Sequence, residues 1–285
     1  MAAEACWLGI DAEACYQYTL GRQTSEGGFC FYAYPQWGVE EPNAPDTYAG
    51  VEICATLGRP VPELQRCKRW LRAQQDGSGG YPTLIIGYAA LRALHRLGAG
   101  PERDPRPFLR ATAERLRLDK PLARRGPGWL RDALRCVSLW KVHGIAITVD
   151  MRSAIGSALA SLVGDEGGYG VCGSNLPDSA HGLGLALAVG LPAPPQVLVY
   201  ARLCERAPHG FNVTSHARSS SLECQRAGLR ILRHFGACPG EPEQIRSYVA
   251  SCQTATGGFG RAPGAIARLD DSMRAVQVLA MLFGL

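Results

Sequence analysis

The sequence predicts an all-α protein in which six helix pairs close into an (α/α)6 barrel. A glycine followed by an aromatic residue recurs six times, an apolar helix-patterned stretch follows each signal, and a glycine ends each stretch. The closing glycines, separated by 40, 46, 46, 46 and 48 residues, are Gly58, Gly98, Gly144, Gly190, Gly236 and Gly284. A period of this length is typical of stacked supersecondary units.

Each unit is predicted to hold two helices. The second helix is nearly all apolar, which indicates burial on every side; the clearest examples are residues 84–97, 180–189 and 275–283. The first helix is amphipathic, because over residues 61–74 the side chains of Leu64, Cys67 and Leu71 share one face and charges occupy the other.

Helix ends carry the expected signals. Prolines, whose missing N–H costs little in a first turn, mark the predicted starts of first helices at Pro62, Pro105, Pro195 and Pro242. The closing glycines fit the position after a helix, which often needs a left-handed backbone. The apolar segment 276–285 is unlike the polar cap of an open solenoid, so the last unit should pack on the first and residues 1–285 should form one domain.

Composition narrows the class of protein. The chain is 46% hydrophobic with a net charge of +5, and residues 101–127 alone contribute +4. No stretch approaches about 18 uncharged apolar residues, and the N-terminus lacks the pattern of a secretory signal. The eleven cysteines include no CxxC motif. We therefore expect a cytoplasmic protein with reduced cysteines, no transmembrane segment and no nucleic-acid partner.

The final unit resembles a known repeat. It reads Cys252-Gln253, Gly257-Gly258-Phe259-Gly260, Pro263-Gly264, Leu269, Ser272, Ala275-Val276, Leu279 and Gly284. This pattern resembles the repeat of protein prenyltransferase β subunits and squalene-type terpenoid cyclases. The resemblance implies a barrel whose aromatic lumen holds an isoprenoid diphosphate or polyprenyl substrate. Its leading implication is prenyl transfer from an allylic diphosphate to a thiol or another nucleophile, with an α-subunit-like protein as a further partner.

Zinc is the cofactor that the transferase resemblance implies. His181 ends a segment, 177–181, that resembles the family's PDxxH, and Cys136 begins a CVSLW segment that is similar to its C-Y-S-F-W. The family's Asp lies two residues before that Cys, where this chain has Leu134. Asp132 lies four residues before Cys136 on the same helical face, so Asp132, Cys136 and His181 are the candidate ligands. Alternatively, the aspartates that precede closing glycines by twelve residues are helix N-caps, namely Asp46, Asp132 and Asp178.

A basic group precedes these candidate ligands. The resemblance implies that Arg124, Arg125 and Arg131 hold the leaving diphosphate, since guanidinium groups bind phosphate oxygens in pairs. A solvated basic loop is the alternative.

The cyclase resemblance rests on residues 268–272, which read RLDDS where class II cyclases carry DxDDT. Asp270 would be the proton donor, and its neighbour Asp271 would favour the protonated form. The preceding Arg268 opposes this, and Asp271 also aligns with Asp46 as a cap. Proton-initiated terpene cyclisation is therefore the second hypothesis, and a non-catalytic barrel that binds a lipid or a protein is the third.

Aromatic residues divide into two groups. Those that follow the recurring glycines repeat once per unit, which favours packing between repeats; they are Phe29, Tyr81, Trp129, Tyr169, Phe211 and Phe259. Tyr48, Tyr88 and Trp140 lie on second helices and are the candidates for contact with substrate, where their ring faces would stabilise a carbocation.

Overall fold

The computed structural model describes residues 9–34, 39–120 and 126–284, and within them twelve α-helices account for most of the ordered structure. The first helices of the pairs are α1 (Ala12–Leu20), α3 (Leu64–Arg72), α5 (Arg106–Arg115), α7 (Val149–Ser161), α9 (Gln196–Cys204) and α11 (Pro242–Ser251). The second helices are α2 (Ala44–Thr56), α4 (Leu84–Arg96), α6 (Trp129–Val142), α8 (Leu176–Ala188), α10 (Leu222–His234) and α12 (Leu269–Phe283).

Four strands of two residues each complete the described structure. Strands β1 (Ala33–Tyr34) and β2 (Val39–Glu40) pair in antiparallel fashion, as do β3 (Glu205–Arg206) and β4 (Gly210–Phe211). The helical content agrees with the all-α prediction. No described helix has the length and apolar character needed to cross a bilayer.

The described residues fall into two compact units. Unit 1 contains residues 1–103, 221–226 and 241–285, and unit 2 contains residues 104–220 and 227–240. Within unit 1, α1, α3 and α11 each pack against the second helix that follows, and α2 packs against both α4 and α12. Within unit 2, α5 packs on α6, α7 on α8, and α6 on α8.

A recurring glutamine joins neighbouring helix pairs. Gln75 accepts a hydrogen bond from the Arg103 amide (3.0 Å) and donates to the Arg103 carbonyl (3.1 Å). Gln253, at the equivalent place before the last glycine pair, makes the same two bonds to the Asp11 amide and carbonyl, each 2.8 Å long. The last helix pair therefore attaches to the first in the same way as consecutive pairs attach to each other. This confirms the prediction that the last helix pair packs on the first.

The recurring aromatic rings pack on small residues of the second helices. A Cβ atom at Gly50 would lie 2.7 Å from the Phe29 ring, and one at Gly182 would lie 2.5 Å from the ring of Tyr169. The same aromatic residue also forms a hydrogen bond with a hydroxyl that lies three residues before the glycine. For Phe29, the backbone amide donates to Thr47 Oγ1 at 2.9 Å. These contacts confirm a packing role for the rings.

Helix ends follow the sequence signals, with one difference in length. All six closing glycines have φ between +63° and +77°. The fourth second helix begins at Leu176, before the apolar run at 180–189, because the Asn175 side chain caps its first turn. Polar cap residues thus extend the helix beyond the apolar pattern that predicted it. The described cysteines are free thiols, as expected, and most of them are buried.

Candidate functional site

The second helices of unit 1 share one property. Each carries a stripe of polar side chains that are only partly buried, whereas the neighbouring side chains on the helix are buried. The stripes are i,i+4 pairs or, on α10, an i,i+3 pair, and residues at both spacings lie on one helix face. They consist of Tyr48 and Glu52 on α2, Tyr88 and Arg92 on α4, and Asp270 and Arg274 on α12, with Glu223 and Arg226 at the start of α10. We call these eight residues the polar face.

Two tyrosines meet on the polar face. The rings of Tyr48 and Tyr88 pack edge to face, with centroids 6.0 Å apart. Burial, together with Tyr88 and Glu52, raises the pKa of Tyr48 against the opposing effects of Arg92 and Arg226. The Tyr48 phenol is therefore neutral and can donate a hydrogen bond at physiological pH.

The arginines of the polar face differ in their partners. Arg96, one turn beyond Arg92, lies 3.7 Å from the Glu52 carboxylate. Within the described ranges, neither Arg92 nor Arg226 has a carboxylate within 4.0 Å, and the Nε of Arg92 is buried without a hydrogen-bond partner. Burial lowers the pKa of Arg92, but Tyr88, Tyr48 and Glu52 outweigh it and raise the value, so the guanidinium stays charged.

Arg274 binds two carboxylates on its own helix. Its Nη1 lies 2.7 Å from Asp270 Oδ2 and 2.9 Å from Asp271 Oδ1. The Asp271 side chain is 4% exposed, whereas that of Asp270 is 46% exposed. Of the two aspartates proposed for catalysis, Asp270 is thus the one that a bound molecule can reach.

A third carboxyl group, Asp46, lies close enough to Asp270 for their charges to interact. Burial raises the pKa of Asp46 despite a hydrogen bond from Asn43 Nδ2 (2.6 Å), and the charge of Asp270 raises it further. Burial also raises the pKa of Asp271, with Arg274 opposing and Asp270 adding to the shift. We call Asp46, Asp270 and Asp271 the carboxyl cluster.

The expectation that the repeated aspartates are N-caps needs correction. The N-caps of α2 and α8 are Asn43 and Asn175, and Asp46 and Asp178 are the third residues of those helices. Each aspartate accepts a hydrogen bond back from its asparagine cap. Asp132 lies inside α6, whose N-cap is Gly128. An amide cap and a following carboxylate satisfy both partners, which explains the spacing of three residues.

The three candidate zinc ligands are not brought together. Cys136 is fully buried and its thiol donates to the Leu109 carbonyl of α5 at 3.7 Å. Asp132 accepts hydrogen bonds from Arg131 and Arg135, each at 3.2 Å. Burial raises the pKa of the Cys136 thiol to about 12.

His181 has a different partner. Its Nδ1 lies 3.9 Å from Asp178 Oδ1. Burial opposes ionisation of Asp178, but the nearby His181 and the hydrogen bond from Asn175 outweigh burial and lower its pKa. Across the described ranges, no group of three or more His, Cys, Asp or Glu side chains is placed to hold a metal ion. The arrangement does not fit zinc, and we derive no step through a metal.

The other predicted substrate contacts have different outcomes. Arg131 is exposed and pairs with Asp132, while Arg124 and Arg125 lie outside the described residues. The structure gives Trp140, predicted as a substrate contact, a position inside unit 2. Its ring is buried and its Nε1 donates to the Leu109 carbonyl at 3.2 Å, because that face of α6 packs on α5.

Sequence reasoning missed Arg92, Arg226 and Arg274. The sequence did contain a signal for such residues. Two polar residues four positions apart interrupt an otherwise apolar second helix, first at Tyr88 and Arg92 and again at Asp270 and Arg274. Such a pair marks one helix face that neighbouring helices do not cover.

Comparisons with known proteins agree on the fold. Residues 1–83 and 196–284 match the sequence profile of the prenyltransferase alpha-alpha toroid domain. No curated protein is detectably similar to the chain in sequence.

Solved structures share this architecture. A single-residue variant of the type II terpene cyclase MstE from Scytonema, in complex with geranylgeranyl dihydroxybenzoate as substrate, is 14% identical with a TM-score of 0.65, covering 99% of this chain and 97% of that one. A second MstE variant, in complex with merosterolic acid A as product, has 14% identity and a TM-score of 0.63, with coverage of 99% and 97%. A protein from Actinoplanes is 16% identical with a TM-score of 0.59, covering 95% and 99%. These matches confirm the predicted α/α toroid.

Proposed function

The chain belongs to the prenyltransferase alpha-alpha toroid domain family, and from this premise we propose that it cyclises an isoprenoid chain by protonating one of its alkenes. The MstE structures are those of enzymes, in agreement with the expectation of an isoprenoid-processing enzyme. The observation that carries the proposal is the carboxyl cluster at the edge of the polar face.

A proton-initiated cyclase needs a carboxylic acid that keeps its proton near neutral pH. Two of three neighbouring carboxyl groups favour this, because the charge of Asp270 adds to burial in raising the pKa of Asp46 and of Asp271. Burial raises the pKa of Asp46 and of Asp271. Asp270 is the exposed member, so it is the one that can pass a proton of the cluster to a bound alkene.

The chemistry balances without a further reactant. The Asp270 O–H bond breaks as a C–H bond forms at the alkene, which leaves a carboxylate and a carbocation. Alkenes along the chain attack the cation to close rings, and the last cation loses a proton from an adjacent carbon. The faces of Tyr48 and Tyr88 on the polar face would stabilise the intermediate cations.

The experiment measures products by gas chromatography and mass spectrometry after incubation with geranylgeranyl diphosphate or with squalene. We expect a cyclic product that carries one added deuterium when it is formed in D2O. Asp270→Asn should lower its rate at least about 100-fold, as for loss of a general acid. Asp104→Asn removes an exposed carboxylate that pairs only with Arg106 on the surface, and it should have no effect.

Two outcomes would overturn this proposal. Release of inorganic pyrophosphate with transfer of the prenyl chain to an added thiol would favour the transferase hypothesis, which otherwise stays a prediction together with its zinc ion and its α-subunit-like partner. Binding of both substrates without any product would favour the non-catalytic barrel.

A further inference from the structure

One level of unit 1 carries polar residues on three second helices. Glu52, Arg92 and Gln277 are the ninth residues of α2, α4 and α12, respectively. Each of them is partly buried, whereas the residues directly before and after it in sequence are buried. Packing of these otherwise apolar helices does not explain polar side chains at one shared level. We call these three residues the distal level.

The distal level lies well away from the carboxyl cluster along the helices. The rings of Tyr48 and Tyr88, each the fifth residue of its helix, touch, and the ninth residue of α2 reaches the thirteenth of α4, so these helices run in the same direction. The charges of Asp46 and Asp270 interact at the starts of α2 and α12, which pack against each other. Asp270 is the second residue of α12, so the distal level lies about 10 Å further along the helix axis.

Glu52 is the carboxylate of the distal level. Its side chain is 13% exposed, and one of its oxygens lies 3.7 Å from the Nε of Arg96. Its charge also acts on Tyr48 and on Arg92, so the carboxylate lies among the side chains of the polar face. A glutamate is ordinarily ionised at neutral pH, and that is the form with which Arg96 pairs. The distal level therefore contains a proton acceptor.

Gln277 adds a second oxygen acceptor at this level. Its Oε1 atom is buried and has no hydrogen-bond donor among the described residues. A buried acceptor without a donor costs free energy, and its partial negative charge attracts a positively charged group. Arg92 stands on α4 and Gln277 on α12, and α2 packs between those two helices. The side of α2 that faces α12 is therefore the better place for a cation.

We propose that Glu52 is the base that ends the cyclisation, and that the Gln277 amide oxygen positions the final carbocation beside it. This inference rests on the proposed function and assigns the proton acceptor of its last step. A C–H bond next to the cationic carbon breaks, its electron pair forms the alkene of the product, and the proton goes to Glu52. Asp270 gives one proton and Glu52 takes one, so substrate and product are isomers, and exchange with water restores both residues.

The position of the base decides which product forms. A carbocation has several neighbouring carbons that can lose a proton, and a base held in one place removes the proton nearest to it. Without such a base, the cation loses a proton from any of these carbons or is captured by water as an alcohol. Glu52 therefore acts on the identity of the product, whereas Asp270 acts on the rate at which cyclisation begins.

The test analyses products by gas chromatography and mass spectrometry for whichever of geranylgeranyl diphosphate and squalene the wild type cyclises. Glu52→Gln keeps the size of the side chain and removes the base. We expect the share of the main alkene to fall at least about threefold in favour of alkene isomers and alcohols, while substrate consumption changes less than about twofold, because protonation precedes this step. Gln277→Met should lower the same share at least about twofold.

Two further variants separate this role from a structural one. Glu52→Asp keeps the negative charge beside Arg96 and withdraws the acceptor by one methylene group, so the share of the main alkene should fall less than in the glutamine variant. A purely structural role would lower consumption and leave the proportions of the products unchanged. Glu13→Gln removes an exposed carboxylate of the same unit, whose partner is Arg59, and it should change neither quantity.

The outcomes distinguish this inference from the proposed function. Unchanged proportions in Glu52→Gln, or in Glu52→Asp if the glutamine variant does not fold, would overturn the base even where cyclic products depend on Asp270. Loss of substrate consumption in a folded Glu52→Gln would also overturn it, because the residue would then act before the last step. Unchanged proportions in Gln277→Met would overturn the positioning role of that amide. Absence of any cyclic product from the wild type would overturn the cyclisation proposal and the base with it.

Discussion

Replacing Arg274 by methionine isolates the electrostatics of the carboxyl cluster. The guanidinium holds Asp271 at 2.9 Å, and that side chain is only 4% exposed. Methionine keeps most of the apolar stem and removes the charge, so the variant leaves a buried carboxyl group without its cation. Removing one partner of a buried ion pair costs about 3–5 kcal/mol of folding free energy.

The cost should depend on pH, with a definite sign. Burial already raises the pKa of Asp271, and Arg274 opposes that shift. Without Arg274 the pKa in the folded state rises further above the unfolded value, so the folded protein binds more protons and stability falls as pH increases between the two values. We expect a loss of about 3 kcal/mol at pH 8 that becomes smaller towards pH 4.5, because protonation of Asp271 removes its unpaired charge in the variant.

Urea unfolding at pH 4.5, 6 and 8 measures this loss against the wild type. The double variant Arg274→Met with Asp271→Asn supplies the control, because an amide cannot ionise and the extra loss at high pH should disappear. A loss of equal size at all three pH values, or one that persists in the double variant, would refute the assignment of Asp271 as a buried acid stabilised by Arg274.

Two further predictions concern the packing of the repeats. Gln253→Ala removes the paired bonds between the last and first helix pairs and should cost about 1–3 kcal/mol in thermal unfolding; Gln75→Ala, which breaks the equivalent clamp, should cost a similar amount, and a negligible effect at residue 253 would contradict the closing contact. Gly50→Ala should lower the free energy of unfolding by about 1–2 kcal/mol, because the new methyl group collides with the Phe29 ring, even though alanine has a higher helix propensity than glycine. Gly77→Ala, where no atom lies within 4 Å of the added carbon, should be close to neutral, and equal stability of both glycine variants would refute the interlocked ring.

The fold was predictable because its signals repeat. Each closing glycine has the left-handed backbone that its position requires, and the ring of Phe29 has the packing partner that periodicity implied. Helix starts were less predictable. Asn175 caps α8 with a polar turn, and an apolar pattern begins only after such a turn.

The candidate site was predictable only in part. Tyr48, Tyr88 and Asp270 lie on the polar face, but Trp140 faces α5 although it also lies on a second helix. Position on a second helix does not determine which way a side chain points, because these helices are apolar nearly all round. The direction follows from the neighbouring helices, and one sequence does not specify their contacts.

Equivalent positions of the repeat show where function can diverge from scaffold. Asp46, Asp178 and Asp271 are each the third residue of a second helix and stabilise its first turn. Three residues later, α8 has His181, which helps to lower the pKa of Asp178 against burial. At the same place α12 has Arg274, and the pKa of Asp271 is nevertheless raised, because burial, with a further contribution from the charge of Asp270, outweighs Arg274.

Asp270 contributes to this difference, and the repeat does not require it. Asp270 has Pro45 and Pro177 as its counterparts in α2 and α8, so helix capping does not explain it. A carboxylate at that place raises the free energy of ionising the whole cluster and lies where a ligand can reach it. A residue that the repeat does not require and that a ligand can reach is best explained by chemistry, which is why we assign the proton transfer to Asp270 rather than to its better-buried neighbour.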